Sequence, residues 1–93
     1  MIVSLSKRFQ KEFDKIPLTI QAKVWDILDD LEKVETLNGF PDCKPIEGYK
    51  QKYYRIRVRT YRLGFEVVNN EIKAIHIITI KPRGDIYKSF PPK

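Results

Sequence analysis

The sequence has one cysteine, one histidine and no apolar run long enough to cross a bilayer. With Cys43 alone, no intramolecular disulfide forms and no cysteine cluster exists to hold a metal, so neither a metal nor another cofactor is expected. A lone cysteine is ordinarily inert, and Cys43 is read that way. His76 lies inside an apolar run, where a packed, hydrogen-bonded histidine is expected rather than a catalytic one. No cleavable signal-peptide pattern, internal repeat or low-complexity segment is present. A soluble, cytoplasmic chain is therefore expected, with no membrane partner. Its 93 residues suit a single domain, 1–93, with one modest core and no room for a separate catalytic lobe.

Acidic residues are missing from one stretch in particular. Residues 50 to 62 hold Lys50, Lys52, Arg55, Arg57, Arg59 and Arg62 and not one Asp or Glu. Elsewhere 12 basic side chains balance 12 acidic ones, so the whole net charge of +6 comes from this segment. A focused basic patch implies a polyanionic partner such as nucleic acid. The plainer reading is a solvated edge strand whose charges block aggregation. That accounts for a few lysines better than for arginines at successive same-face positions. In "YYRIRVRTYRLGFEV", residues 53 to 67, Arg55, Arg57 and Arg59 alternate with Ile56 and Val58, which makes one face cationic and the other apolar.

The rest of the chain supplies what that strand packs on. "MIVSL" is a short β-prone start. Phe9, Phe13 and Ile16 then recur at helical spacing behind a capping Ser6, and Pro17 ends that helix. Ile20, Val24, Ile27, Leu28, Leu31 and Val34 form the stripe of a longer second helix, with Trp25 at its margin. "TLNGFPDCKPIEGY", with two prolines and two glycines, is expected to be a loop. Three strands follow, at residues 53 to 58, 61 to 68 and 72 to 80, the last two joined by a hairpin turn at Asn69-Asn70. The fold class is α+β in the order β-α-α-β-β-β: two N-terminal helices on one face of a small, mainly antiparallel sheet. The helices should bury Tyr54, Ile56 and Val58, leaving Arg55, Arg57 and Arg62 on an open sheet face.

"KPIEGYKQKYYRIRV", "YRLGFEV" and the ending "KPRGDIYKSFP" together resemble the RelE/ParE superfamily of toxin components, over nearly the whole chain. The Tyr-Arg strand combined with the Arg83 to Tyr87 spacing carries the resemblance. RelE-related members are ribosome-dependent endoribonucleases that cut mRNA in the decoding site, whereas ParE-related members share the fold, inhibit DNA gyrase and tend to lack this basic and tyrosine constellation. The resemblance implies catalytic roles for Arg57, Arg62, Lys81, Arg83 and Tyr87. Lys50, Lys52, Arg55 and Arg59 would bind RNA. It implies as partners the ribosome and its mRNA, a cognate antitoxin and, through the antitoxin, operator DNA. Two departures stand out. Arg59-Thr60 replaces the family's Gly-Asp, so a longer or bulged turn is expected there, and Pro82 removes a histidine acid or base.

The constellation suits RNA cleavage through the 2′-hydroxyl, which needs a base, cations for the phosphorane and an acid for the leaving oxygen. Arginine clamps charge but is a poor base. Tyr87 is the candidate proton acceptor if neighbouring cations lower its pKa, and otherwise a stacking residue or an anchor beside Phe90. Rival readings are a gyrase inhibitor, a nucleic-acid-binding module without catalysis, and a corepressor acting with its antitoxin.

Overall fold

The structure is a computed structural model that describes residues 1–92. It begins with β1 (Ile2–Leu5), α1 (Lys7–Phe13) and α2 (Leu18–Lys33). Then come β2 (Cys43–Ile46), β3 (Lys52–Val58), β4 (Tyr61–Asn69), β5 (Ala74–Pro82) and α3 (Arg83–Ser89). The five strands make one sheet in the order β1-β5-β4-β3-β2. β1 lies parallel to β5, and the other neighbours are antiparallel.

Local sequence sets the helix ends. Ser6 caps α1, its Oγ accepting from the Phe9 amide at 2.9 Å. Pro17 precedes α2, where a missing N–H costs nothing because first-turn amides have no helical partner. At the far end of α2 the α-amino group of Met1 donates to the carbonyls of Leu31, Glu32 and Val34. Ile20, Val24, Leu28 and Leu31 of α2 are buried with Phe9 of α1 against Ile56, Val58, Leu63, Phe65, Ile75, Ile77 and Ile80 of the sheet. Tyr54 and Tyr61 pack at the margin of this core, and Trp25 is half exposed, edge-on to Phe13.

Three expectations need correction. The segment read as a loop contains β2, because its main chain at Cys43–Ile46 pairs with Tyr53–Ile56 despite Pro45 on the sheet edge. The turn after β3 is tight: Val58 pairs directly with Tyr61, and Arg59 itself takes the left-handed conformation, φ 56°. The β4–β5 connection is longer than an Asn-Asn hairpin. Asn69 Oδ1 accepts from the amides of Glu71 and Ile72, and Lys73 is the residue with positive φ.

The second sheet face is only partly open. α3, which the sequence reading lacked, lies across it and buries Ile86 and Phe90 against Tyr53 and Ile78. Gly64 makes this seat. A Cβ there would stand 2.8 Å from the Phe90 ring, so the strand must be bare at that point for the ring to lie down.

α1 finishes the sheet at its edge. β1 ends at Leu5, and beyond it the amide of Ile80 on β5 has no strand partner on that side. Glu12 of α1 takes it, Oε1 accepting from the Ile80 amide at 3.2 Å and from the Thr79 hydroxyl at 2.5 Å. Burial works against the Glu12 charge. Hydrogen bonds from Thr79, Lys81 and Ile80 together with the Lys81 charge outweigh it and hold the carboxyl below the usual range.

Candidate functional site

The pleat of β3 turns Tyr53, Arg55 and Arg57 away from the helical core, and pairing sets Arg55 opposite Lys44 on β2 and Arg57 opposite Arg62 on β4. Arg83 opens α3 at the end of β5, held by its amide donating to the Thr60 carbonyl at 2.8 Å. These side chains line a cavity of about 430 Å³: Lys44, Arg55, Arg57, Arg62 and Arg83, with Asp42 as its one carboxylate. Like-charge neighbours at this density repel, so the arrangement is stabilised by an anion in their midst.

Arg62 sits deepest. It is 8% exposed, where an open-face position was expected. The reason is that its guanidinium folds back onto the β3–β4 turn, where Nη1 donates to the carbonyls of Arg59 and Tyr61 at 3.0 and 2.9 Å. Burial depresses its pKa, and the charges of Arg55, Arg83 and Arg57 push the same way, while Tyr87 opposes them. Tyr87 therefore lies within electrostatic range of Arg62. It does not line the cavity, and the residue is 55% exposed, so the anchor of the C-terminal segment is Phe90 with Ile86.

Arg57 is tied to Asp42 twice. Its amide donates to the Asp42 carbonyl at 3.1 Å, and its Nη2 to Oδ1 at 2.9 Å. A second recess of about 460 Å³, lined by Lys23, Asp26, Ile27, Val58 and Arg59, shares Asp42 and Arg57 with the first. The Arg57–Asp42 pair thus forms the partition between them.

The remaining candidates lie elsewhere. Lys81 points off the site, its ammonium 2.9 Å from Glu12 Oε2. Lys50 is exposed ahead of β3, and Lys52 lines a small recess with Asn70 and Lys73. Sequence reasoning missed Lys44 and Asp42. The alternation of Cys43 and Pro45 with Lys44 between them was a signal, masked by the surrounding prolines and glycines.

Other groups offer less chemistry. Burial raises the Cys43 thiol to about 11 against the pull of Arg55, so it stays protonated and unreactive at neutral pH. His76 Nδ1 is 2.7 Å from Ser4 Oγ on an exposed part of the sheet. Among the described residues no group of three or more His, Cys, Asp or Glu could hold a metal ion, and no helix is long and apolar enough to cross a membrane.

A family model described as the ParE toxin of the parDE type II toxin–antitoxin system matches residues 3–87. Toxin RelE3 of Methanocaldococcus jannaschii is 35% identical over 92 residues, covering 98% of this chain and 100% of that protein. The fold is similar to that of a RelB–RelE antitoxin–toxin complex from Methanococcus jannaschii, with a TM-score of 0.78 at 33% identity over 95% of this chain and 99% of that one. An archaeal RelE–RelB complex from Pyrococcus horikoshii OT3 gives a TM-score of 0.75 at 28% identity, over 89% and 94% of the two chains.

Proposed function

Because the chain belongs to the RelE/ParE superfamily of type II toxin–antitoxin toxins, we propose that it is a ribosome-dependent endoribonuclease that cuts mRNA in the decoding site. The observation that carries this reading is the cavity in which Lys44, Arg55, Arg57, Arg62 and Arg83 converge. Attack of a 2′-hydroxyl on the adjacent phosphate builds negative charge on the phosphorane, and five preset cations stabilise that charge more than they stabilise the starting diester. Arg62, held by two carbonyls and a tight turn, is the most rigidly placed of them.

The arginines do not take the proton. Tyr87 is the proton-transferring group of this proposal: the residue is exposed and near enough to Arg62 to act on its charge, so a strand docked on the cations would pass within its reach. Lys81 supports the fold through Glu12, and in this reading it acts on RNA only after leaving that partner. Lys50, Lys52 and Arg59 attract the polyanion from outside the cavity. The similar RelE chains are in complexes with RelB, and a cognate antitoxin of this chain would silence the site by covering the cationic face.

The test adds purified protein to a translation extract and to bare RNA and maps the 5′ ends produced. Cuts at fixed positions within codons, appearing only on translated message, are expected. Equal cutting of bare RNA defeats ribosome dependence. The ParE description of the matching family supports a second reading, gyrase inhibition, which intact mRNA together with blocked replication would establish instead.

A further inference from the structure

Asp42 is the one carboxylate lining a cavity otherwise built of cations, and it stands at the junction of two recesses. Its placement is specific. The residue adopts φ 57°, a conformation that an aspartate tolerates better than most side chains, and it grips Arg57 by both main chain and side chain. We propose that Asp42 is an internal stand-in for phosphate, holding the Arg57 guanidinium until a phosphate group of the polynucleotide enters the cavity and takes the guanidinium over.

The main chain and the side chain of Arg57 are held separately. Its main chain is fixed by β3 and by the Asp42 carbonyl, so the strand stays in place whichever anion the side chain contacts. The ion pair itself is about half exposed on both sides, 57% and 49%. An exposed pair is weak and exchanges at little cost. A phosphate brought among Lys44, Arg55, Arg62 and Arg83 is held by several charges at once, and its oxygens match a guanidinium in two-point geometry. Until then Asp42 lowers repulsion among the arginines and keeps Arg57 from binding stray anions. The expected consequence is a few-fold selectivity: a monoanion that contacts one cation displaces Asp42 less readily than a phosphate chain spanning the partition.

This inference rests on the proposed nucleic-acid reading for its ligand, and its test separates the two. Binding of inorganic pyrophosphate and of a short single-stranded DNA oligonucleotide, which has no 2′-hydroxyl to cut through, is measured by calorimetry at low salt. Asp42→Asn keeps shape and tolerates the positive φ, and it should tighten both ligands by about two- to fivefold, the scale on which an exposed pair competes. The gain should vanish in an Arg57→Ala background and exceed that of Asp26→Asn, which removes a charge from the neighbouring recess without touching Arg57. Unchanged or weaker binding by a folded Asp42→Asn protein, or an equal gain without Arg57, overturns the proposal. In the wild-type protein, pyrophosphate should shift the NMR signals of the Arg57 guanidinium and the Asp42 carboxyl together. An unmoved Asp42 signal at saturation overturns it independently of any variant. Exchange with pyrophosphate and no binding of the oligonucleotide sinks the nucleic-acid reading and leaves the exchange standing, while failure to bind either anion sinks the exchange as well.

Discussion

The guanidinium of Arg62 donates to the carbonyl of Arg59 at 3.0 Å, so the most buried cation of the site also braces the turn on which Arg59 sits with φ 56°. Charge and scaffold are the same side chain here. A second bond to the Tyr61 carbonyl at 2.9 Å fixes the guanidinium against the first residue of β4.

Arg62→Ala should therefore damage both stability and activity. Two hydrogen bonds of about 0.5–1.5 kcal/mol each are lost, and relief of arginine repulsion returns part of that, leaving a net cost of about 1–2 kcal/mol. Thermal denaturation should show Tm lower by roughly 4–10 °C, using the size scaling for a domain of this length. Cleavage on programmed ribosomes, assayed well below the variant's Tm, should fall by about 10² or more, as for a lost transition-state donor. A folded variant with the wild-type rate would move the phosphate clamp away from Arg62.

Tyr87 is separable from the fold because Ile86 and Phe90, the buried neighbours on its segment, do the anchoring. The residue is 55% exposed, so Tyr87→Phe and Tyr87→Ala should each leave stability within about 0.5 kcal/mol of wild type. If the hydroxyl transfers the proton, phenylalanine should lose nearly as much activity as alanine, by about 10²-fold or more. A phenylalanine variant that cleaves at the wild-type rate would leave the residue with a stacking role.

Glu12 links the edge of β5 to pH. Its carboxyl titrates below the ordinary glutamate range in the folded protein, so the native state favours the ionised form. That contribution is fully present above about pH 4.5 and is lost as pH falls through the lower folded value. Glu12→Gln should accordingly lower Tm at pH 7, with the gap to wild type closing as pH falls below about 4.5. Parallel Tm curves over this range would mean that the carboxylate charge is not what secures Lys81 and the strand edge.

Much of the scaffold was legible because periodicity records burial. The α2 stripe and the alternation of Ile56 and Val58 with arginines each name a buried face, and a buried face allows few arrangements. β2 was obscured because its strand character comes from pairing with β3, and four residues with a proline carry too little pattern of their own. α3 was obscured for a related reason: Ile86 and Phe90 are one apolar spacing, which gains meaning only where Gly64 leaves a seat for the Phe90 ring.

Residue type and spacing along the chain were enough for the α+β layering, the apolar and cationic sides of β3 and the confinement of the net positive charge to one segment. Which cations meet was left to folding. Strand register brings Lys44 to Arg55 and Arg57 to Arg62, the turn into α3 adds Arg83, and Asp42 joins them from a left-handed bend. Lys81 is a register neighbour of Arg62, yet the unpaired edge of β5 brings Glu12 into reach and draws its ammonium away. Distance along the chain cannot encode such choices, because each depends on a partner that only folding brings within a few ångströms.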